Sequence, residues 1–443
     1  MKKTMLLLCM TFVCLTAACS KQEKKEPVIT PTPVPQSNPE IEPMDSAATD
    51  EENSMEAFDP DQIAEKYVLR EKMDSDYIKS VNDFSVDLSN LLLKDQKVNK
   101  AISPVSIQMA LSLAALGAEG NTKEELLKTL HLLNTDTSYQ LEQNELLYLL
   151  LDTKDSISKL NLANSIWLGR NTRFEEDFLN NAKAHYFADL YEADFTNPAT
   201  ADRMSDWIYD NTGKLIRPEV QLDPEQILSI INTIYYKDEW IDEFDEKETQ
   251  SGSFYLADGN EVEAEYMRKT QNPYGYVKGD NYISTSLWLK GNAGMHFILP
   301  EEGVGIDELL SDPKMLQEAL FSEEQQYARI NFEIPKFSFG SKYELKEAMK
   351  KLGISEAFLP EADFDGIADT DPLYISNIEH QAHIGIDENG VEAAAFTQIA
   401  YMGAGAPVGA EIIDFKLNRP FLFAISKEGI ILFIGVVYNP INK

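Results

Sequence analysis

Cysteine is almost absent from this chain. Its three copies, Cys9, Cys14 and Cys19, all lie at the N-terminus, so no disulfide can staple what folds beyond residue 19. Basic residues are scarce beside acidic ones: 39 Lys and Arg face 74 Asp and Glu, a formal charge of −35. Such a field repels polyanions, which excludes nucleic acid and heparin-like chains as partners, and it favours solubility without dictating a fold. Long apolar runs are also missing. Beyond the first 19 residues none approaches the roughly 18 needed to cross a bilayer. The remaining composition, 43% hydrophobic and 10% aromatic, is that of a globular protein.

Signatures of catalysis are missing as well. The five histidines, His131, His185, His296, His380 and His383, belong to no HExxH or Cys/His cluster, so neither a metal nor any other cofactor is called for. GxSxG, P-loop and GxGxxG patterns are absent. The chain reads as something other than an enzyme. Asp387-Glu388-Asn389-Gly390 superficially resembles a calcium loop, but it lacks the further ligands and the distal glutamate. A tight β-turn is the better reading, with Asn-Gly supplying positive φ.

At the N-terminus, Lys2 and Lys3 precede the apolar stretch Met5–Leu15 and the small pair Ala17-Ala18, which reads as a secretory signal over 1–19. Leu15-Thr16-Ala17-Ala18-Cys19 also resembles a bacterial lipobox, in which Cys19 would be acylated. Its leucine lies four places before the cysteine rather than three, so plain secretion stays open beside lipidation. Either way the protein is expected outside the cell, held on the outer face of the membrane by lipid alone or released. Six prolines between Pro27 and Pro43, and ten acidic residues with no basic one over Glu26–Gln62, cannot bury enough apolar surface to order themselves. Residues 20–70 are therefore expected to form an extended tether, and 71–443 the folded domain.

Within that domain the hydrophobic period changes. Pro104 after Ser103 opens a helix whose Ile107, Leu111, Ala114 and Ala115 share one face until Gly117 ends it. Thr122-Lys123-Glu124-Glu125 reads as a capping box opening a second helix. Further on, Ile227–Tyr236, Ser284–Leu289, His296–Leu299, Ala328–Pro335, Tyr374–Ile386 and Phe421–Tyr438 are β-rich runs between turn residues. Helices early and strands late predict an α+β protein with large, mainly antiparallel sheets.

Gly390–Gly409, GVEAAAFTQIAYMGAGAPVG, makes neither a good helix nor an ordinary loop. If it enters a sheet, period two places Val391, Ala393, Ala395, Thr397, Ile399 and Tyr401 on one face, and Glu392, Ala394, Phe396, Gln398, Ala400 and Met402 on the other. Glu392 must stay in water, so the Val391 face would pack inward. An alanine-rich surface loop is the competing reading.

Five ordered stretches carry a family resemblance: Ile102–Leu130, Ile230–Phe244, Ala357–Ala368 with Tyr374–His383, Ile384–Thr397 and Phe415–Pro440. Together they resemble a serpin across about residues 75–443. The resemblance implies the serpin α+β fold, with helices on large sheets and an exposed reactive-centre loop. A serine peptidase would cleave that loop as bait, after which the hinge inserts into the central sheet as an extra strand and drags the acylated peptidase with it. The hinge would be Gly390, Val391, Glu392, Ala393, Ala394, Ala395, Phe396 and Thr397. Ser103, Ser106, Asn232 and His380 would form the shutter beneath the central strands, and Trp240 the breach at the top. Asn389, Val391, Phe396 and Ser205 depart from the family pattern.

The scissile bond falls after Ala404 when counted forward from Gly390, and after Gly409 when counted back from Asn418-Arg419-Pro420-Phe421. The two counts differ by five residues. The scissile region is placed at Tyr401, Met402, Gly403, Ala404 and Gly405, with Ala404 and Met402 leading. Val391–Ala410 contains no Lys or Arg, which disfavours a trypsin-like target and points to an elastase-like peptidase, with subtilisin- or chymotrypsin-like enzymes as other candidates. The expected inhibitor is a monomer. The alternative is a non-inhibitory binding protein with the same fold.

Overall fold

The computed structural model describes residues 60–155, 157–312, 314–370, 372–391 and 411–442, with the backbone alone over 60–63. Ten α-helices appear among them: α1 Pro60–Lys72, α2 Ser75–Leu93, α3 Pro104–Leu116, α4 Gly120–Thr129, α5 Thr137–Leu151, α6 Glu176–His185, α7 Pro198–Asn211, α8 Ile306–Leu309, α9 Met315–Phe321 and α10 Lys346–Leu352. The first eight strands are β1 Lys100–Ile102, β2 Thr153–Lys154, β3 Lys159–Gly169, β4 Ala188–Ala193, β5 Leu228–Glu239, β6 Gln250–Tyr255, β7 Glu261–Lys278 and β8 Tyr282–Trp288. The second eight are β9 Ala293–Pro300, β10 Gln326–Pro335, β11 Phe337–Glu344, β12 Glu379–Ile386, β13 Gly390–Val391, β14 Ile412–Lys416, β15 Phe421–Lys427 and β16 Ile430–Val437.

Two sheets result. The larger has nine strands in the order β1-β16-β15-β9-β8-β7-β10-β14, with β6 on β7. Every residue of β9 and β16 is buried, so these strands read as unbroken apolar runs rather than alternating ones. The smaller sheet has seven strands in the order β11-β12-β13-β5-β3-β2, with β4 on β3. Phe337 and Phe339 of β11 meet Phe421 and Phe423 of β15 at ring-centroid distances of 5.5–6.4 Å, which joins the two sheets through edge-to-face and tilted aromatic contacts. Helix α3 lies beneath both. It is apolar almost all round and nearly every side chain is buried, as expected of a helix with no solvent face.

Three local expectations are corrected. Residues 60–70, assigned to the tether, belong to α1, whose Lys66 ammonium donates to the carbonyls of Leu149, Leu150 (3.0 Å) and Asp152 (2.5 Å) at the end of α5. Cation and helix C-terminus are complementary in charge, which draws α1 down onto the domain. Thr122-Lys123-Glu124-Glu125 is not a capping box: α4 starts at Gly120 with Glu119 at its N-cap. Glu125 instead accepts from the backbone N–H groups of Ser355 (2.7 Å) and Glu356 (2.8 Å), and Thr122 donates to Glu356 at 2.9 Å. The run Tyr374–Ile386 becomes a strand only from Glu379.

Candidate functional site: a slot in the seven-stranded sheet

Strand β5 is laddered to β3 along Leu228–Lys237, and β12 to β11 along its whole length. The edges that β5 and β12 turn towards each other are different. They meet through β13 alone: Gly390 and Val391 pair with Glu239 and Asp238 on one side, and Val391 pairs with Ile386 on the other. Both pairings are antiparallel, so β5 and β12 run parallel. Among the described residues no ladder joins these two strands below Val391. At its top the sheet is thus parted by one strand, Gly390–Val391, the first two residues of the expected hinge.

Close approach explains the glycine there. A Cβ on Gly390 would stand 2.0 Å from the Asp238 carbonyl oxygen and 2.8 Å from the Glu239 Cα, so only glycine fits between the strands. The preceding turn is tight, with the Asp387 N–H donating to the Gly390 carbonyl at 3.0 Å. The expected positive φ is not found at Asn389 or Gly390. Instead the Asp387 carboxylate accepts from the N–H groups of Asn389 (2.8 Å) and Gly390 (3.2 Å), an Asx turn that supplies the bend without a left-handed residue.

Trp240 closes the top of the slot. Its indole N–H donates to the Asp387 carbonyl and its backbone N–H to the Asn389 carbonyl, both at 2.9 Å, and the side chain is fully buried. Glu388, between these residues, receives Thr249 Oγ1 at 2.7 Å and lies 3.0 Å from the Lys336 ammonium. Burial pushes the Glu388 carboxyl up, but those two donors outweigh it and leave the group below the ordinary glutamate range. The Asp387–Gly390 turn is thereby held by Trp240, Thr249 and Lys336.

Under the entry point sits a carboxylate that sequence reading passed over. Asp238 is fully buried and accepts from Ser158 Oγ (3.0 Å), Tyr236 Oη (2.5 Å) and the N–H groups of Glu239 (2.9 Å) and Gly291 (3.0 Å). Burial raises its pKa against the pull of those four donors. Asp238 ties the end of β5 to the turn before β9 and to the segment before β3, which fixes the strand that Val391 pairs with. No local motif signals this role, because the two partners that tie β5 to other segments, Gly291 and Ser158, lie 53 and 80 positions away.

Lower in the slot the four shutter candidates come close together but form two separate bonds. Ser106 Oγ donates to Asn232 Oδ1 on β5. The backbone N–H of Ser103, not its hydroxyl, donates to His380 Nε2 on β12 at 3.0 Å, while Ser103 Oγ is buried without a partner. The first turn of α3 therefore touches both walls of the slot. Because Nε2 accepts, it carries no proton, and burial lowers the His380 pKa to about 4. Asn164 on β3 extends the network: its Oδ1 accepts from Asn232 at 2.7 Å and its Nδ2 donates to the Tyr186 carbonyl at 2.7 Å. Asn164 was not anticipated, since an asparagine inside a strand pattern carries no signal of its own.

Glu392, Ala393, Ala394, Ala395, Phe396 and Thr397 lie outside the described residues, as do Tyr401, Met402, Gly403, Ala404, Gly405 and Cys19. The chain is described again from Glu411, whose carbonyl accepts from the Arg329 N–H at 2.9 Å, and β14 then pairs in parallel with β10. Among the described residues no group of acidic, cysteine or histidine side chains is arranged to hold a metal, and no helix is long and apolar enough to cross a membrane.

Comparison with known proteins decides the family. Residues 79–440 match the family model of the serpins, described as serine protease inhibitors. The chain belongs to the serpin family. Similar serpins include a serine protease inhibitor of Mus musculus, 31% identical over 83% of this chain and 90% of that one. An uncharacterized serpin-like protein of Methanosarcina acetivorans is 32% identical over 81% and 85%. Among solved structures, the thermophilic serpin tengpin in its native state superposes with a TM-score of 0.74 at 29% identity, covering 83% of this chain and 95% of that one. The α+β serpin fold expected from the resemblance is the one observed. Serpins characteristically inhibit serine proteases rather than catalyse a reaction of their own.

Proposed function

We propose that this serpin inhibits elastase-like serine peptidases as a suicide substrate, by cleavage of its loop and insertion of the hinge into the seven-stranded sheet. The supporting observation is the parting of β5 from β12, entered at its top by Gly390 and Val391, with no ladder between the two strands below them among the described residues. Filling it would pair about ten further backbone groups at roughly 0.5–1.5 kcal/mol each, on the order of 10 kcal/mol in all. That exceeds the roughly 3–4 kcal/mol a single oxyanion-hole donor contributes to the peptidase. Insertion thus supplies enough work to distort the acylated enzyme before water releases it.

Ser103, Ser106, Asn232 and His380 act as the shutter in this reading. Their two bonds hold the walls of the slot to α3 and exchange partners as the new strand passes. Trp240 and the Asp387–Gly390 turn hold the breach. Cleavage is assigned to Tyr401–Gly405, with Ala404 and Met402 the leading candidates as small and medium residues that suit an elastase-like pocket. The monomeric inhibitor acts outside the cell, anchored through a lipid on Cys19 with the acidic, proline-rich segment as spacer. An SDS-stable complex with elastase, formed at a stoichiometry near one, tests the reading. Quantitative nicking of the loop without such a complex would make the chain a non-inhibitory serpin. Ala395→Glu is the matched control: it would bury an unpaired charge in the slot and turn inhibitor into substrate.

A further inference from the structure

We propose that the outer face of β10 and β14, at the C-terminal foot of the loop, is a second docking surface for the peptidase held on that loop. The inference rests on the proposed inhibitory reading and adds a contact outside the cleaved segment. Tyr327 and Ile412 are large and apolar yet 68% and 61% exposed. They share one face. Tyr327 and Arg329 alternate with buried Ala328 and Ile330 along β10, and Arg329 stands opposite Ile412 in the ladder. Below them the same face turns polar, with Thr270 donating to Asn331 at 2.9 Å and Asn331 to Asp414 at 2.7 Å. An exposed apolar pair with a polar rim is the anatomy of a contact surface.

Position selects the occupant. Gly405, the last residue of the assigned scissile region, is seven residues from Ile412, so at most about 25 Å of extended chain separates them. A peptidase of about 230 residues has a radius of gyration near ~17 Å, so its body reaches the foot of the loop while its cleft holds the scissile bond. Charge narrows the choice further. On that face Asp414 is exposed beside Arg329, Arg268 and Lys416 are bridged to Glu333, Glu323 and Glu324 are exposed just before β10, and the whole chain carries a formal charge of −35. A cationic peptidase is attracted there and an anionic one repelled.

The test uses the full chain and purified leukocyte elastase, a cationic enzyme, with the double variant Tyr327→Ala/Ile412→Ser. Both side chains are exposed, so the melting temperature should not move. The second-order association rate is expected to fall about tenfold or more, with the stoichiometry unchanged, as for loss of an aromatic anchor. Tyr327→Ala alone, on a strand that does not continue into the loop, should retain part of that loss. Glu323→Gln/Glu324→Gln should flatten the salt dependence of the rate. A double-variant rate within about twofold of the parent overturns the proposal. So does sedimentation of the parent as a dimer that the double variant dissolves, which would assign the face to a second copy of the chain. If the parent is nicked without forming a complex, the inhibitory reading fails, and the rate of loop cleavage then tests the docking surface by the same comparison.

Discussion

The two sheets of this serpin are built from the same kinds of residue to opposite ends. In the nine-stranded sheet the central strands are laddered on both edges and β15 and β16 are apolar and buried, so any displacement of a strand exposes backbone and side chains together. In the seven-stranded sheet the facing edges of β5 and β12 are unladdered below Val391 among the described residues, and the buried groups beneath them are polar. A hydrogen bond can be exchanged for another, whereas an apolar contact can only be lost. On the proposed mechanism one sheet stays as it is and the other is altered.

The largest expected effect breaks the comparison from the permanent side. Phe423→Ala in β15 removes a fully buried ring that packs against Phe337 at 5.5 Å and should cost about 3–5 kcal/mol in urea denaturation, with the stoichiometry of inhibition unchanged. A rise in stoichiometry would show that the two sheets are not independent.

Acid sharpens the comparison, because each sheet holds one buried histidine with a pKa lowered to about 4 by desolvation, His296 in β9 and His380 in β12. Between about pH 6.5 and 4 the unfolded chain binds protons at these positions that the folded chain refuses. Their stabilisation is therefore complete above about pH 6.5 and lost as the pH falls through that window, by about 3 kcal/mol for each group. Stability measured against pH should decline accordingly, and His380→Asn should remove about half of the slope. Ser286 and Ser426 hold His296 at 2.7 Å on either side, so its replacement should leave the slot untouched.

Smaller effects dissect the slot itself. Gly390→Ala forces a Cβ into the Asp238 carbonyl, an overpacking cost of about 1–3 kcal/mol confined to the hinge. The hinge should leave the sheet, raising the stoichiometry of inhibition while the melting temperature of the rest barely moves. Ser106→Ala strands the Asn232 carbonyl at about 1–3 kcal/mol, whereas Ser103→Ala, which removes a hydroxyl already without a partner, should change stability by less than about 0.5 kcal/mol. Equal losses in the two variants would refute the division of the shutter into two bonds.

What was legible in the chain follows the same contrast. Helix α3, with Pro104 at its start and Gly117 at its end, was readable because apolar period and punctuation agree there, and the β-rich run Phe421–Tyr438, which the structure divides into β15 and β16, because it is apolar almost throughout. Strand β7, 18 residues long, was not: Glu261, Glu263 and Glu265 point to solvent and dilute its apolar signal. Thr122 and Glu125 carried the pattern of a cap, but their partners sit 230 to 241 positions away, and tertiary contacts overrode the local rule. Of the candidate site, Gly390, Ser106, Asn232 and His380 were singled out through the family resemblance, and the structure puts them along the facing edges of β5 and β12 or on the helix beneath. Asp238 and Asn164 act through distant partners and leave no local trace.

On the proposed mechanism the slot is filled only when the loop is cut. Scanning calorimetry of the intact chain against the same chain nicked within 401–405 addresses it directly. On the order of 10 kcal/mol of new pairing should raise the melting temperature of the nicked form by roughly 10–15 °C. Identical melting temperatures for the two forms would contradict it.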